Sequence, residues 1–274
     1  MGILIRKHFN QHRFTGIGKL AIISLIVALS ASIIDTIWAV YLYSFVKNAS
    51  IVGFISAALT LVSFISYFFF IPLIERSSKS KLFSRSLLLF AAAYIIFSFT
   101  IHFYLILLLA VAITSLYTIR ITSWGLIIKD ESPNKQLAVN EGLIYTFLNI
   151  AWFIGPLIAA LMLAKFGDDL GTDFIFIFSA FLIFLAFLIF KFSKIKDIHI
   201  KKRTDKKIIK NFINFFKSKT RVSAYILSGG VSLWWTLIYL FIPLYIIKKG
   251  LPESYVGYFL FAVAFPLIIS MYKF

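Results

Sequence analysis

The chain has 274 residues, of which 61% are hydrophobic and only 14% are charged. A soluble globular protein carries about 45–50% apolar and about 25% charged residues, so this composition excludes a soluble domain and predicts a polytopic membrane protein. The net charge of +17 would indicate nucleic acid in a soluble chain. Here the basic residues cluster between apolar runs, so membrane topology accounts for them and no nucleic-acid partner is expected. The absence of cysteine excludes disulfides and thiolate chemistry.

Apolar runs of membrane-spanning length predict an all-α fold, since a span needs roughly 20 residues to cross about 30 Å of hydrocarbon. No charged residue separates Arg85 from Arg120. These about 34 residues would form a helix about 51 Å long. We therefore predict two spans with a turn near Thr100–His102, which places Arg120 inside the membrane. Eight spans are predicted: Leu20–Phe45, Ser50–Ile74, two between Arg85 and Ile128, Glu141–Ala164, Asp173–Phe190, Val222–Ile247 and Ser254–Met271.

The basic residues indicate the orientation of these spans. If the N-terminus lies inside, 23 of the 28 Lys and Arg residues fall in inner intervals ahead of the C-terminal tail, as the positive-inside rule requires. We therefore predict an integral protein of the plasma (inner) membrane of a prokaryote, with both termini in the cytoplasm. The N-terminus resembles a signal peptide, but its apolar run continues to Phe45, which favours an uncleaved first span.

The longest polar interval is the basic segment Lys191–Arg221, which contains twelve Lys or Arg residues and two Asp residues. This excess of basic residues indicates a cytoplasmic loop. Its second part has apolar residues at helical spacing with lysines beside them, which predicts an amphipathic helix on the inner membrane surface. A disordered basic linker is the alternative. The apolar stripe consists of Ile208, Ile209, Phe212, Ile213 and Phe216.

A short internal repeat lies on the two sides of the basic segment. Residues 40–42 (Val-Tyr-Leu) and 52–54 (Val-Gly-Phe) match residues 244–246 (Leu-Tyr-Ile) and 256–258 (Val-Gly-Tyr), with an offset of 204 residues. Each copy contains the end of one span, a short outer loop and the start of the next span. The seventh span therefore corresponds to the first span and starts a second repeat, as in transporters that are built from two parallel repeats.

The loop between the second and third spans carries an acid–base pair, Glu75-Arg76, and a further base at Lys79. Six spans, a long basic loop and a restarting second half complete a plan that resembles the major facilitator superfamily. That family usually has G-x-x-x-D-R-x-G-R-[RK] at this place, and both of its glycines are replaced here, by Ile71 and Ser78. We expect the three charged residues to form an inner-side cluster that locks one conformation. An ordinary solvated loop is the alternative.

The fifth span contains a second motif of the resembled family. Its exporter branch often shows G-x-x-x-G-P-x-x-G-G, and residues 151–160 keep Gly-Pro and replace the other three glycines by alanine. Small residues let helices approach closely, and proline bends the span. The resemblance therefore implies a packing motif and favours export. The residues of this motif are Ala151, Gly155, Pro156, Ala159 and Ala160.

The resemblance also implies a division of the chain. A six-span N-terminal bundle would occupy residues 1–190, a cytoplasmic linker residues 191–221, and the first two spans of a second bundle residues 222–274. A complete member would have about four further spans. Truncation of the chain, or a second polypeptide that supplies the missing spans, would account for this difference, and we favour truncation.

Asp35 lies near the middle of the first span, in which it is the only charged residue. An unpaired carboxylate in the bilayer costs about 3 kcal/mol on insertion scales, so Asp35 is expected to face a cavity, meet a cation or carry a proton. Arg120 is its natural partner, because spans 1 and 4 line the central cavity in the resembled family. The family's span 4 motif is matched in part, since Gly125 follows one residue late. We expect Asp35 to take up a proton or bind a cationic substrate, with Arg120 modulating it. A structural ion pair or a hydrated Asp35 is the alternative.

Polar and aromatic residues in spans 5 and 7 are candidates for lining a cavity that holds an amphiphilic or aromatic substrate. The alternative is that they are packing or interface residues, since Trp and Tyr are common in both settings. The candidates are Tyr145, Asn149, Trp234, Trp235 and Tyr239.

No enzyme signature is present, since the chain has no Gly-rich phosphate loop, HExxH motif or nucleophile elbow. Four scattered histidines and no cysteine give no expectation of a metal or cofactor. The predicted function is secondary active transport of a small molecule, coupled to protons by alternating access, with efflux favoured. The expected partners are the substrate, protons and the lipid bilayer. The alternative is a non-transporting membrane protein: a truncated or inactive product, or one chain of a two-chain assembly.

Overall fold

A computed structural model describes residues 16–132, 135–193, 195 and 213–271 of the chain, and every regular element in these ranges is a helix. The eight principal helices follow one another with at most five residues between consecutive helices, except that residues 193–218 lie between α6 and α7. They are α1 (Gly16–Val46), α2 (Ala49–Arg76), α3 (Lys79–Phe99), α4 (Phe103–Glu131), α5 (Leu137–Phe166), α6 (Asp168–Phe192), α7 (Lys219–Lys248) and α8 (Ser254–Met271).

The predicted division of the long uncharged stretch is confirmed, because α3 ends at Phe99 and α4 begins at Phe103. Arg120 accordingly lies within α4. Helices α1 to α7 are long and apolar enough to cross a membrane, and the apolar part of α8 covers Ser254–Pro266 within the described residues. The predicted fold class, an all-α polytopic membrane protein, is therefore confirmed.

The turns between the helices have local chemical causes. The side chain of Asn48 accepts hydrogen bonds from the backbone N–H groups of Ser50 and Ile51, at 2.9 and 3.3 Å, and so satisfies two donors that the start of α2 leaves free. Gly167 separates α5 from α6 at a φ of 80°, a conformation that glycine adopts without a Cβ penalty. These turns let consecutive spans reverse direction within one or two residues.

The predicted amphipathic helix lies mostly outside the described residues. Only 213–216 of its stripe are described, and they form a short helical turn. The surface helix therefore stays a prediction, as does the division of the chain at residues 190 and 221.

Among the described helices, α1 has the largest buried share in its most apolar part. It packs against α5 and α6, while α3 packs against α4 and α6, and α2 packs chiefly against α4. In its most apolar part, 61% of the residues of α1 are buried, compared with 11% for α2. The hydroxyl of Ser30 donates to the backbone carbonyl of Ser179 at 2.9 Å and joins α1 to α6. A charge on α1 is therefore placed inside the protein and away from lipid.

Helix α7 contains a π-helical turn over Leu237–Phe241, in which the N–H of Ile242 donates to the carbonyl of Leu237. Pro243 follows this turn, and since proline has no N–H to continue the α-helical ladder, a wider turn accommodates the break. The end of α7 packs against α1, and α8 packs mainly against α5. These two helices lie beside α1, and the three helices form part of the wall of the cavity described below.

Candidate functional site

A cavity of about 930 Å³ lies among α1, α2, α3, α4, α5, α7 and α8. Its volume is within the range of about 300–1,000 Å³ that is typical of small-molecule sites, which are mostly apolar with a few polar groups. Most of its lining is apolar or aromatic. The charged, amide and aliphatic hydroxyl side chains in the lining are Asp35, Ser56, Thr60, Ser63, Thr114, Arg120, Asn149 and Thr236.

Asp35 faces this cavity because the other faces of its helical turn are packed against protein. Ser32 is buried against α5, where a Cβ built on Gly155 would lie 2.4 Å from the Ser32 hydroxyl. Thr36 is also buried, and its hydroxyl donates to the carbonyl of Ser32 at 2.8 Å. Asp35 itself is exposed to the cavity. Helical periodicity brings the lining residues of α1 to one face: Ala31, Ile34, Asp35, Trp38 and Ala39.

Arg120 lines the same cavity with only 6% of its surface exposed. Its guanidinium carbon lies 4.3 Å from the centre of the Phe90 ring and 5.2 Å from that of Tyr117, so aromatic faces hold the cation. Its Nη1 atom is buried and has no hydrogen-bond partner among the described residues. Asp35 and Arg120 interact electrostatically, but within the described part of the chain they form no direct ion pair.

Aromatic rings form much of the remaining wall. Trp38 contacts Phe97 edge-on, with 5.7 Å between the ring centres. Trp152 on α5 and Trp235 on α7 both pack against Tyr239, at 5.6 and 5.8 Å. Tyr239 lies in the π-helical turn of α7, so this turn supplies a ring to the wall. Such a lining suits an apolar or aromatic body with polar ends.

The structure brings together three of the five residues that the sequence nominated for the lining. Asn149, Trp235 and Tyr239 line the cavity. Tyr145 and Trp234 are not among the lining residues and are 61% and 57% exposed. Tyr145 lies one helical turn nearer the start of α5 than Asn149. Trp234 precedes the lining residue Trp235 on α7 and lies on a different face of that helix.

Most of the aromatic lining was not identified from the sequence. Trp38 follows Asp35 by three residues and Tyr117 precedes Arg120 by three, so helical spacing from each charge would have found both. Tyr94 and Trp152 also line the cavity. The described lining residues of their own helices, α3 and α5, include no charged residue. Helical spacing from a charge could therefore not identify them.

The predicted packing motif of α5 lies where three helices meet. A Cβ on Gly155 would be 3.3 Å from the backbone nitrogen of Ile33 on α1, as well as meeting the Ser32 hydroxyl. On the side of α8, a Cβ on Gly257 would be 2.4 Å from the carbonyl oxygen of Pro156 and 2.7 Å from Cβ of Ala160. The backbones of α1, α5 and α8 therefore approach closely, as small residues permit. All five motif residues are buried: Ala151, Gly155, Pro156, Ala159 and Ala160.

Of the charged residues between α2 and α3, Lys79 forms an ion pair with Asp130 near the end of α4. Glu75 and Arg76 are exposed at the end of α2. Asp130 was not among the residues nominated from the sequence, although its position near the end of the fourth span was the available signal. The pair joins the start of α3 to the end of α4. The proposed locking role of the three residues stays a prediction.

At the opposite end of the helices, Glu253 immediately precedes α8. It lies near Asp168 and Asp169 at the start of α6 and near Lys47 in the turn after α1. Burial is the largest effect and, together with the two aspartates, raises the pKa of Glu253 to about 7, while Lys47 opposes the rise. This carboxyl group therefore titrates close to neutral pH.

Comparison with known proteins gives a family and a fold. The family model described as Major Facilitator Superfamily matches residues 20–272. The fold is similar to that of a peptide transporter POT in complex with sulfate, with a TM-score of 0.58 and 18% identity over 88% of this chain and 51% of the other. It is similar also to a POT family transporter in complex with a thioalcohol-conjugated peptide, with a TM-score of 0.58 and 14% identity over 92% and 51%. The chain thus spans about half the length of these transporters. No curated protein matches it significantly.

Proposed function

This chain belongs to the Major Facilitator Superfamily, and from that membership we propose that it is a secondary active transporter. It moves a small molecule across the membrane by alternating access, in which two groups of helices rock about a site near the midplane. The observation that carries this proposal is the aromatic cavity beside α1, with a carboxylate exposed to it. In this proposal the chain lies in the plasma membrane of a prokaryote, with its N- and C-termini in the cytoplasm.

Asp35 is the group that couples transport to protons. It is the only charged side chain that α1 contributes to the cavity, and it is exposed to that cavity while its neighbours are packed. A carboxylate in this setting is costly unless it is hydrated, neutralised or protonated. Its charge also acts on Arg120, so protonation of Asp35 changes how strongly Arg120 attracts other groups.

The helix interfaces support a rocking motion about α5. The small residues of its motif keep the backbone of α5 close to both α1 and α8. Gly155-Pro156 is the feature that favours export as the direction of transport. The charged residues Glu75, Arg76 and Lys79 belong to the inner end of the bundle, where they stabilise one of its conformations.

The experiment is gradient-driven flux in proteoliposomes that contain the purified chain. Vesicles with an imposed pH gradient are incubated with a defined mixture of amphiphilic small molecules, and the accumulated compounds are quantified by mass spectrometry. We expect at least one compound to accumulate only with the gradient, and Asp35→Asn to abolish that dependence. Glu141→Gln is the control, because Glu141 is an exposed carboxylate on α5 that does not line the cavity.

Unchanged gradient-driven flux in Asp35→Asn would exclude Asp35 as the coupling residue. Absence of any gradient-driven flux in the intact protein would contradict the transporter itself. That second result would favour a non-transporting membrane protein, or one chain of a two-chain assembly.

A further inference from the structure

Among the described residues, the cavity lining contains one anionic and one cationic side chain, and the two are not in direct contact as an ion pair. Asp35 is exposed to the cavity. Arg120 has only 6% of its surface exposed. Within the described residues it forms no direct ion pair with Asp35. Two opposite charges that share a cavity in this way are free to bind groups of a ligand separately.

One nitrogen of Arg120, Nη1, lacks an acceptor among the described residues. The rings of Phe90 and Tyr117 form cation–π contacts with the guanidinium group. Such a contact does not replace a hydrogen-bond acceptor for an N–H group. The Nη1 atom of Arg120 is buried and has no hydrogen-bond partner within the described part of the chain. A buried donor without a partner is costly, and a carboxylate offers the planar pair of oxygens that a guanidinium group binds best. A ligand carboxylate would therefore relieve this cost.

Asp35 provides the complementary end. An ionised carboxylate only accepts hydrogen bonds, so it binds an ammonium group, which only donates them. Between and around the two charges, the lining is largely aromatic, with Trp38, Trp152 and Tyr239 among its rings. An apolar or aromatic body fits this wall, because it buries carbon against carbon and leaves no polar group unsatisfied.

A singly charged ligand would satisfy only half of this site. A cation at Asp35 would face the positive charge of Arg120, and an anion at Arg120 would face Asp35. A zwitterion satisfies both residues and keeps the occupied cavity neutral, which matters in surroundings where charges are weakly screened.

We propose that the substrate is a small zwitterion with an apolar or aromatic body, whose ammonium group binds Asp35 and whose carboxylate binds Arg120. This inference rests on the proposed function, since it assumes that the cavity is the transport site. It assigns Arg120 a direct binding role in addition to its effect on the charge of Asp35.

The test compares zwitterions with derivatives that lack one charge, using the full chain in lipid nanodiscs. The probes are phenylalanine and phenylalanylphenylalanine, which carry their charges at two separations, together with the C-terminal amide and the N-acetyl form of each. Binding is measured by competition in a scintillation proximity assay. We expect at least one zwitterion to bind at least tenfold more tightly than both of its singly charged derivatives.

The variants assign each end of the ligand. Arg120→Gln should remove the preference over the amide, and Asp35→Asn should remove the preference over the N-acetyl form, while Glu141→Gln changes neither. Because each preference is a ratio of affinities, it does not depend on the amount of folded protein, and Arg120→Lys serves as a charge-preserving variant if Arg120→Gln folds poorly. The proposal is overturned if neither zwitterion binds more tightly than both of its derivatives, or if the preferences survive these substitutions.

This test and the flux experiment fail separately. Gradient-driven flux without a zwitterion preference would overturn only the substrate class. A zwitterion preference without flux would overturn only the transporter.

Discussion

The guanidinium group of Arg120 is held in the cavity by aromatic faces, and no carboxylate of the described residues forms an ion pair with it. Phe90 on α3 supplies the nearer ring, at 4.3 Å, and Tyr117 lies one helical turn away on α4 itself. A buried cation that lacks a paired anion needs such compensation, because desolvation of a charge is expensive. The arrangement holds Arg120 in place, while its Nη1 atom has no hydrogen-bond partner among the described residues.

Removal of the nearer ring should show this contribution. We expect Phe90 and Arg120 to be coupled by about 0.5–2 kcal/mol, the usual strength of a cation–π contact. The free energy of unfolding in detergent would be measured for Phe90→Leu, Arg120→Gln and the double variant. Phe83→Leu is the matched control, because Phe83 lies two turns earlier on the same helix and stacks on Trp124. Additive effects of Phe90→Leu and Arg120→Gln would show that the ring does not hold the cation.

Glu253 makes the stability of the protein depend on pH near neutrality. Its pKa is raised from 4.5 to about 7 by burial and by Asp168 and Asp169. The folded arrangement therefore favours the protonated form, and its stability falls as pH rises between about 4.5 and 7 and stays lower above that range. We expect a higher midpoint of thermal unfolding at pH 6 than at pH 8, and a smaller difference in Glu253→Gln. An equal pH dependence in the two proteins would argue against this origin.

At the scale of the helices, the internal repeat has two copies in different surroundings. Gly257 on α8 packs directly against α5. Its counterpart Gly53 on α2 has no atom within 4 Å of a built Cβ, outside its own helix backbone. One position of the repeat is therefore a close helix contact, and the other is open among the described residues.

The pair offers a prediction with an internal control. Gly257→Ala would place a methyl group 2.4 Å from the carbonyl oxygen of Pro156, so we expect it to lower the stability of the protein by about 1–3 kcal/mol through overpacking. Gly53→Ala meets no such obstacle, and it should be neutral or stabilising because alanine favours a helix over glycine by about 1 kcal/mol. Thermal unfolding in detergent would measure both. Similar losses at the two positions would contradict the close contact between α5 and α8.

At the scale of the whole molecule, the sequence was sufficient for the helices but not for their contacts. The length of an apolar run and the need to cross the bilayer predicted the break at Thr100–His102 and the location of Arg120 within α4. Asp35 was identified because a charge in a span is costly. These inferences depend on the membrane as a solvent and not on how one helix packs against another.

The contacts between helices were harder to predict, for a physical reason. In a membrane protein, the side of a helix that faces lipid and the side that faces the core are both apolar, so hydrophobic periodicity does not give the rotation of the helix. The cavity lining by Trp152, the exposure of Trp234, and the ion pair of Lys79 with Asp130 all depend on that rotation. Sequence patterns alone did not place them.

The most direct test of the central claim is to measure the access to the cavity from each side of the membrane. The chain has no cysteine, so Thr60→Cys places a single thiol in the cavity lining. Its rate of reaction with a membrane-impermeant maleimide would be measured from each face of oriented vesicles, with and without Asp35→Asn. The proposed mechanism predicts reaction from both faces, and opposite changes of the two rates, by several-fold, when Asp35→Asn imitates the protonated carboxyl group. Reaction from one face only, at a rate that Asp35→Asn leaves unchanged, would contradict alternating access controlled by Asp35.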